Sequence, residues 1–239
     1  MKKTLIVIFY LHLIYSQGFC EELKVACAIN FIVPMKLIIK NFEKENNHKI
    51  TATFGSMGML YGQIINKVDF DVFFAADIER PENLINNGKA SNFFLYAKGK
   101  SFLWTKSEKL KNLKTYEEII EKSKTISITM PNSAPYGKVV YDLLAKKNLL
   151  KDCGHKLVYA KNVSQSFQYA FSGLTDSCFC VPCQVLSKKG RTGIYICLDE
   201  AKPVIQGGCI LKTKKLAYNF VEYVKKSDNI LKKYGYEIP

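Results

Sequence analysis

The chain has 239 residues, enough to bury a full core as one large domain or two smaller ones, and its 48% hydrophobic and 13% aromatic content excludes a disordered or low-complexity chain. Its 35 lysines and arginines against 21 acids give a formal net charge of +14, spread in ones and twos with no basic run of the kind that tracks a nucleic-acid backbone. Such a surface reads as a solvated face that can still speed the arrival of an anion by long-range attraction.

The opening segment is of a different kind. Lys2 and Lys3 precede the apolar run TLIVIFYLHLIY, and smaller residues lead from Ser16 to Cys20 before Glu21 and Glu22. That layout predicts a secretory signal peptide over residues 1–20, too short for a comfortable membrane span, with cleavage near Cys20. Lipid attachment at Cys20 is the weaker alternative, because bulky Phe19 precedes it. The expectation is an exported, periplasmic protein whose net charge, without Lys2 and Lys3, is +12. Seven of the eight cysteines then remain, so at least one thiol is unpaired in a monomer, and spacing does not give the connectivity of the rest.

From Leu23 the chain alternates short apolar runs with amphipathic segments. The first run ends at Asn30. Helical spacing of Met35, Ile38, Ile39 and Phe42 predicts a helix over 31–45, with Pro34 in its first turn, where a missing N–H costs little. Residues 49–54 alternate as a strand, Gly55 and Ser56 follow, and a helix is expected over 57–66. Residues 70–76 form a nearly continuous apolar run, as in a strand covered on both faces. Asp77 ends it, and Pro81 opens a short helix closed by Gly88. Strand, helix, strand, helix, strand implies right-handed parallel crossovers.

Residues 100–105 read as one more strand, closing the first block. The second block repeats the alternation, with strands over 125–130, 156–159 and 178–181 and helices over 136–147 and 163–171. Strands over 194–198 and 204–211 follow, then helices over 216–224 and 230–234. The reading is an α/β chain of two lobes joined by two hinge crossings around a cleft, with 21–104 and 203–239 as one lobe and 105–202 as the other.

Four junctions carry the functional signal. Asn30 and the pair Gly55 and Ser56 each stand where a predicted strand gives way to a helix. TMPNSAPYGKVV and YAKNVSQSFQYAF repeat the arrangement, with helices starting near Tyr136 and after Asn162, whose reciprocal capping partner would be Gln165. A helix start leaves backbone N–H groups without intrahelical acceptors, so each junction is an ordinary cap or an anion seat. Singly, the cap is the better reading. Two seats per lobe facing one crevice favour a bound oxyanion.

These segments also carry a resemblance. CAINFIVPM, TFGSMGMLYGQI, FDVFFAADIERPENL, APYGKVVYDLL, KNVSQSFQYAF and KKYGY, in that order and spacing, resemble the periplasmic molybdate-binding proteins, the substrate-binding component of the molybdate ABC importer. The resemblance covers nearly all of the chain after the leader. It implies a type II periplasmic binding protein fold that closes on molybdate or tungstate and hands it to a membrane permease, with no cofactor. Carried over by position, Asn30 and Ser56 donate from the first lobe with Ile29 beside them, and the backbone N–H groups of Tyr136 and Val163 donate from the second. The chemistry agrees: molybdate at neutral pH is a dianion offering only acceptors, which suits a cage of neutral donors. Sulfate matches it in charge and shape, so size must tell them apart, whereas protonated phosphate carries a hydrogen that such a cage does not accept.

The sequence departs from the family pattern in three places. Ile29 stands where close relatives often carry a small or hydroxyl-bearing residue, and Val181 where some members supply a tyrosine hydroxyl. Both losses leave another tetrahedral oxyanion as an alternative cargo. The third departure is CFCVPCQV, where Cys178, Cys180 and Cys183 replace small apolar residues and a serine. That C-x-C-x-x-C cluster could ligate a soft metal or exchange thiols, which would make this an exported cysteine-rich thiol or metal protein. No histidine lies close in sequence, however, and cysteine also fills buried strand positions as a small apolar residue. Asp77 reads as a cap or hinge residue and Trp104 as core. No Ser/His/Asp order, phosphate loop or metalloprotease motif is present, so no enzymatic activity is expected. The expected partners are the oxyanion and the permease of an ABC importer, with the protein a monomer that binds no nucleic acid.

Overall fold

The structure, a computed structural model, describes residues 21–239; the expected leader and Cys20 lie outside the described residues. In chain order the strands are β1 (Glu22–Ala28), β2 (Lys49–Gly55), β3 (Val72–Phe74), β4 (Ser91–Gly99), β5 (Phe102–Thr105), β6 (Ile126–Thr129), β7 (Leu157–Ala160), β8 (Ser177–Cys180), β9 (Ile194–Cys197), β10 (Val204–Ile210) and β11 (Tyr236–Glu237). They form two sheets, β11-β4-β10-β3-β1-β2 and β7-β6-β8-β5-β9. In the first, β1 pairs parallel with both β2 and β3, and β10 returns from the second sheet to insert antiparallel between β3 and β4. In the second, β6 is parallel to β7 and β8, while β5 runs antiparallel to β8 and β9.

The helices are α1 (Ile32–Glu45), α2 (Met57–Ile65), α3 (Glu79–Asn86), α4 (Tyr116–Lys122), α5 (Pro135–Lys146), α6 (Leu150–Cys153), α7 (Val163–Ser172), α8 (Pro182–Val185), α9 (Lys215–Lys225) and α10 (Asp228–Lys233). They cover both faces of each sheet. Leu23, Val25 and Cys27 of β1 pack into one core with Met35, Ile38 and Phe42 of α1 and Phe220 and Val224 of α9. The intervening Ala26 and Ala28 pack into another with Leu60 and Ile64 of α2 and Leu84 of α3. This two-sided burial explains the unbroken apolar run of a parallel strand. The second sheet behaves likewise: Ile126, Ile128 and Phe179 meet Ile119, Val140 and Leu144 on one side, and Trp104, Cys178 and Cys180 meet Phe167 on the other.

Several elements depart from the sequence reading. Strand β4 was not anticipated, and neither was α4, whose Thr115 hydroxyl accepts the Glu118 N–H at 3.2 Å while the Glu118 carboxylate accepts the Thr115 N–H at 3.0 Å. The run over 70–76 yields only a three-residue strand, and just before it the Asp71 carboxylate accepts the Lys24 N–H at 2.8 Å. Residues Phe102 to Trp104, expected in the first block, pair with Cys180 to Cys178 in the second sheet, so the first crossing falls at Lys100 and Ser101.

Candidate functional site

The ends of β1, β2 and β3 in one sheet, and the residues after β6 and β7 in the other, border a single pocket. It holds about 300 Å³ of empty space including its open mouth, and Ile29, Asn30, Ser56, Tyr136 and Val163 all line it. Four helix starts meet there. Two lack a side-chain cap: the 3-10 turn Ile29–Phe31 that leads into α1 begins after Ala28, and α5 begins after Ala134 with Pro135 in its first turn. The first N–H groups of these turns have no intrahelical acceptor. The other two starts are capped by Ser56 and Asn162, whose oxygens accept the N–H groups of Met59 at 3.4 Å and Gln165 at 2.9 Å. A serine cap spends only a lone pair on its helix, so its O–H is left to donate. Gln165 does not reach back to the Asn162 N–H as predicted; its Oε1 accepts from Lys161 at 2.7 Å, one residue earlier.

Among the described residues no carboxylate lines the pocket, and Lys161 is the one charged residue that does. The site therefore offers donors and partial positive charge to a guest that brings acceptors. Asn30 is buried, and its side chain is engaged away from the pocket, with Nδ2 donating to Gln206 Oε1 at 2.7 Å. Its carbonyl is engaged by Tyr236 and Cys183, so the backbone N–H, in the first turn of the 3-10 helix, is the group left to donate. Ile29, half-buried, adds an apolar wall. Val181 is fully buried at the start of α8 and does not line the pocket. Asp77 lies just outside: its carboxylate accepts the Arg80 N–H at 3.2 Å and pairs with the Arg80 guanidinium, whose Nη2 reaches the Ser133 carbonyl at 3.4 Å on the opposite side of the cleft. Burial pushes the Asp77 carboxyl above its usual range even with Arg80 beside it.

The cysteine cluster divides between two places. Cys178 and Cys180 share one face of β8 in the apolar layer with Trp104, whose Nε1 donates to the Gly190 carbonyl at 2.7 Å. Cys183 sits behind the pocket, its Sγ donating to the Asn30 carbonyl at 3.1 Å, and burial pushes its thiol up to about 12. The seven described cysteines are free thiols, and among the described residues no group of three or more His, Cys, Asp or Glu side chains could hold a metal ion. Sequence reasoning missed Gln184, Gln206, Arg80 and Lys161. Only Gln206 left a trace, as the lone polar side chain in the apolar stretch VIQGGCI.

Two sheets joined by two crossings, with helix starts from both meeting in one cleft, have the build of a periplasmic binding protein, and among the described residues no helix is long and apolar enough to cross a membrane. A family model described as bacterial extracellular solute-binding protein matches residues 23–237. The molybdate-binding protein ModA of Azotobacter vinelandii is 36% identical over 227 residues, covering 90% of this chain and 89% of that relative. ModA of Rhodobacter capsulatus is 32% identical over 227 residues, covering 90% and 88%. A solved structure, the periplasmic molybdate-binding protein of Azotobacter vinelandii, superimposes with a TM-score of 0.82 at 29% identity, covering 91% of this chain and 99% of that one. The chain belongs to the bacterial extracellular solute-binding family and, within it, to the ModA group.

Proposed function

We propose that this protein captures molybdate or tungstate in the cleft between its two sheets and delivers it to the membrane permease of an ABC importer, acting as an exported monomer without enzymatic activity or nucleic-acid partner. The observation that carries the reading is the meeting of four helix starts on one pocket that, among the described residues, no carboxylate lines. In this reading the backbone N–H groups of Asn30, Tyr136 and Val163 and the hydroxyl of Ser56 donate to the dianion, and Ile29 limits its size. Neutral donors fixed on rigid helices compensate the charge without reorganising, which suits an anion stripped of water. The molybdate-binding relatives support the cargo, and a signal peptide over 1–20 would route the chain to where such cargo is met.

Calorimetric titration tests this directly. Sub-micromolar binding of tungstate and molybdate is expected, with no heat from sulfate at millimolar concentration. Sulfate binding of equal strength would overturn the size argument. Because Ile29 brings no hydroxyl to the pocket, the same titration with other tetrahedral oxyanions decides the second reading, a receptor for one of those.

A further inference from the structure

We propose that Gln206 is a positioning residue that clasps the two lobes behind the pocket and holds Asn30 and Tyr136 in register. A glutamine in the interior of a strand is costly unless every polar atom finds a partner. Here Oε1 accepts from Asn30 Nδ2 at 2.7 Å and shares the proton of the Tyr96 hydroxyl, 3.1 Å away, with the Ala75 carbonyl at 2.8 Å, and Nε2 donates to the Tyr136 hydroxyl at 3.3 Å. All of these residues are buried. Tyr136 belongs to α5 of the second lobe, so this last bond crosses between lobes, and its location gives it leverage. The Tyr136 hydroxyl lies so close to Gly99 that a Cβ there would come within 2.1 Å of it. Gly99 is the final residue of β4 before the first crossing, and Gln206 follows the second crossing in β10. The hydroxyl is thus lodged between the two strands about which the lobes would pivot. A second tie runs beside it: the Asn30 carbonyl accepts from the Tyr236 hydroxyl of the first lobe at 2.6 Å and from Cys183 Sγ of the second at 3.1 Å. Separating the lobes would withdraw Tyr136 and Cys183 together and leave Gln206 and Asn30 half-paired. A clasp of this kind raises the population of the closed form before any guest arrives, and apparent affinity scales with that population.

The ligand arm of this proposal rests on the oxyanion reading; the ligand-free arm does not. Tyr136→Phe removes the hydroxyl while leaving the backbone N–H at the pocket, and Gln206→Leu removes the other end. Small-angle X-ray scattering of the ligand-free full chain should give a larger radius of gyration for each variant than for the unaltered protein, contracting again with tungstate. Stopped-flow measurement should find tungstate leaving Tyr136→Phe about tenfold faster, the loss of one buried hydrogen bond. Gly99→Ala should open the protein in the same way, and combining it with Tyr136→Phe should open it little further, since the struck oxygen is gone and the remaining close contacts, at 3.1 and 3.2 Å, are with the Tyr236 ring of the same lobe. Equal ligand-free radii for Tyr136→Phe and the unaltered protein, with only the melting temperature lowered, would overturn the clasp. Failure of the unaltered protein to bind tungstate would instead sink the proposed function, with the scattering comparison still deciding the clasp.

Discussion

Gln184 Nε2 donates to the Val163 carbonyl at 2.9 Å, while its Oε1 accepts the Val181 N–H at 3.0 Å. One side chain thereby ties the first turn of α7 to the end of β8, and so fixes the N–H that Val163 offers to the pocket. Gln184→Leu should cost about 1–3 kcal/mol of stability by stranding the Val181 N–H, while the Val163 carbonyl keeps its bond within α7. It should also weaken tungstate binding several-fold. Gln184→Glu keeps the acceptor for Val181 but loses the donor to Val163. If the start of α7 is what matters, Glu should weaken binding as much as Leu does, which calorimetry beside thermal melts would read.

Ser56 and Asp77 stand on opposite sides of the functional argument. Ser56→Ala removes a long cap bond, worth about 0.5–1 kcal/mol to the fold. A hydrogen bond to a charged guest is worth about 1.5–3 kcal/mol, so affinity should fall roughly 10- to 100-fold. Asp77 does not line the pocket, and Asp77→Ala should change affinity less than Ser56→Ala does, acting through the freed Arg80. The reverse ranking by titration would move the site away from the helix starts.

Gly137 occupies the first turn of α5 at a point of close approach. A Cβ there would fall 2.1 Å from the Thr129 carbonyl oxygen, a backbone atom at the end of β6 that has little room to yield. Gly137→Ala should therefore destabilise the protein by about 1–3 kcal/mol and lift Tyr136 from the pocket. Loss of tungstate binding with most of the melting temperature kept is the expected signature; unchanged binding would show that α5 can slide.

The buried thiols give a pH dependence with a definite sign. Burial raises Cys183 and Cys209 to about 12, above the ordinary thiol value, so the native state resists ionisation that the unfolded chain accepts. Stability from these groups is present below about pH 9 and lost as pH rises toward 12. Melting temperature should fall over that interval, and less steeply in Cys209→Ala. With a thiol reagent at pH 8, half-buried Cys197 should react first and the other six described cysteines only on unfolding. Fewer free thiols after unfolding would signal disulfides.

The junctions were legible in the sequence because a helix start imposes local demands: a short polar or kinking residue, then a period of 3.6. Asn30, Ser56 and the helix start at Tyr136 could thus be named beforehand from local pattern, whereas Val163 and Ile29 were named through the family resemblance; all five border one pocket. What was not legible is set by partners far away in sequence. Whether Phe102 joins the first sheet or the second depends on Cys180 and Cys197, the residues it pairs with. The Asn30 side chain is satisfied by Gln206, 176 positions later, and no local pattern announces that. Strand β4 escaped notice because its exposed positions Phe93 and Leu95 are as apolar as its buried Phe94 and Tyr96, so no polar–apolar alternation marks it in the sequence.

The late return of β10 bears on how the molecule is made. All five strands of the second sheet lie within one continuous stretch of chain, so that sheet can assemble while synthesis continues. The first sheet has no such freedom: until β10 emerges, β3 and β4 have no strand between them, and each exposes a row of unpaired backbone groups. A nascent chain in that condition is prone to sticking to its neighbours. A chaperone or secretion factor that shields the β3 edge during this interval would therefore have its greatest effect on yield, ahead of any effect on the finished protein.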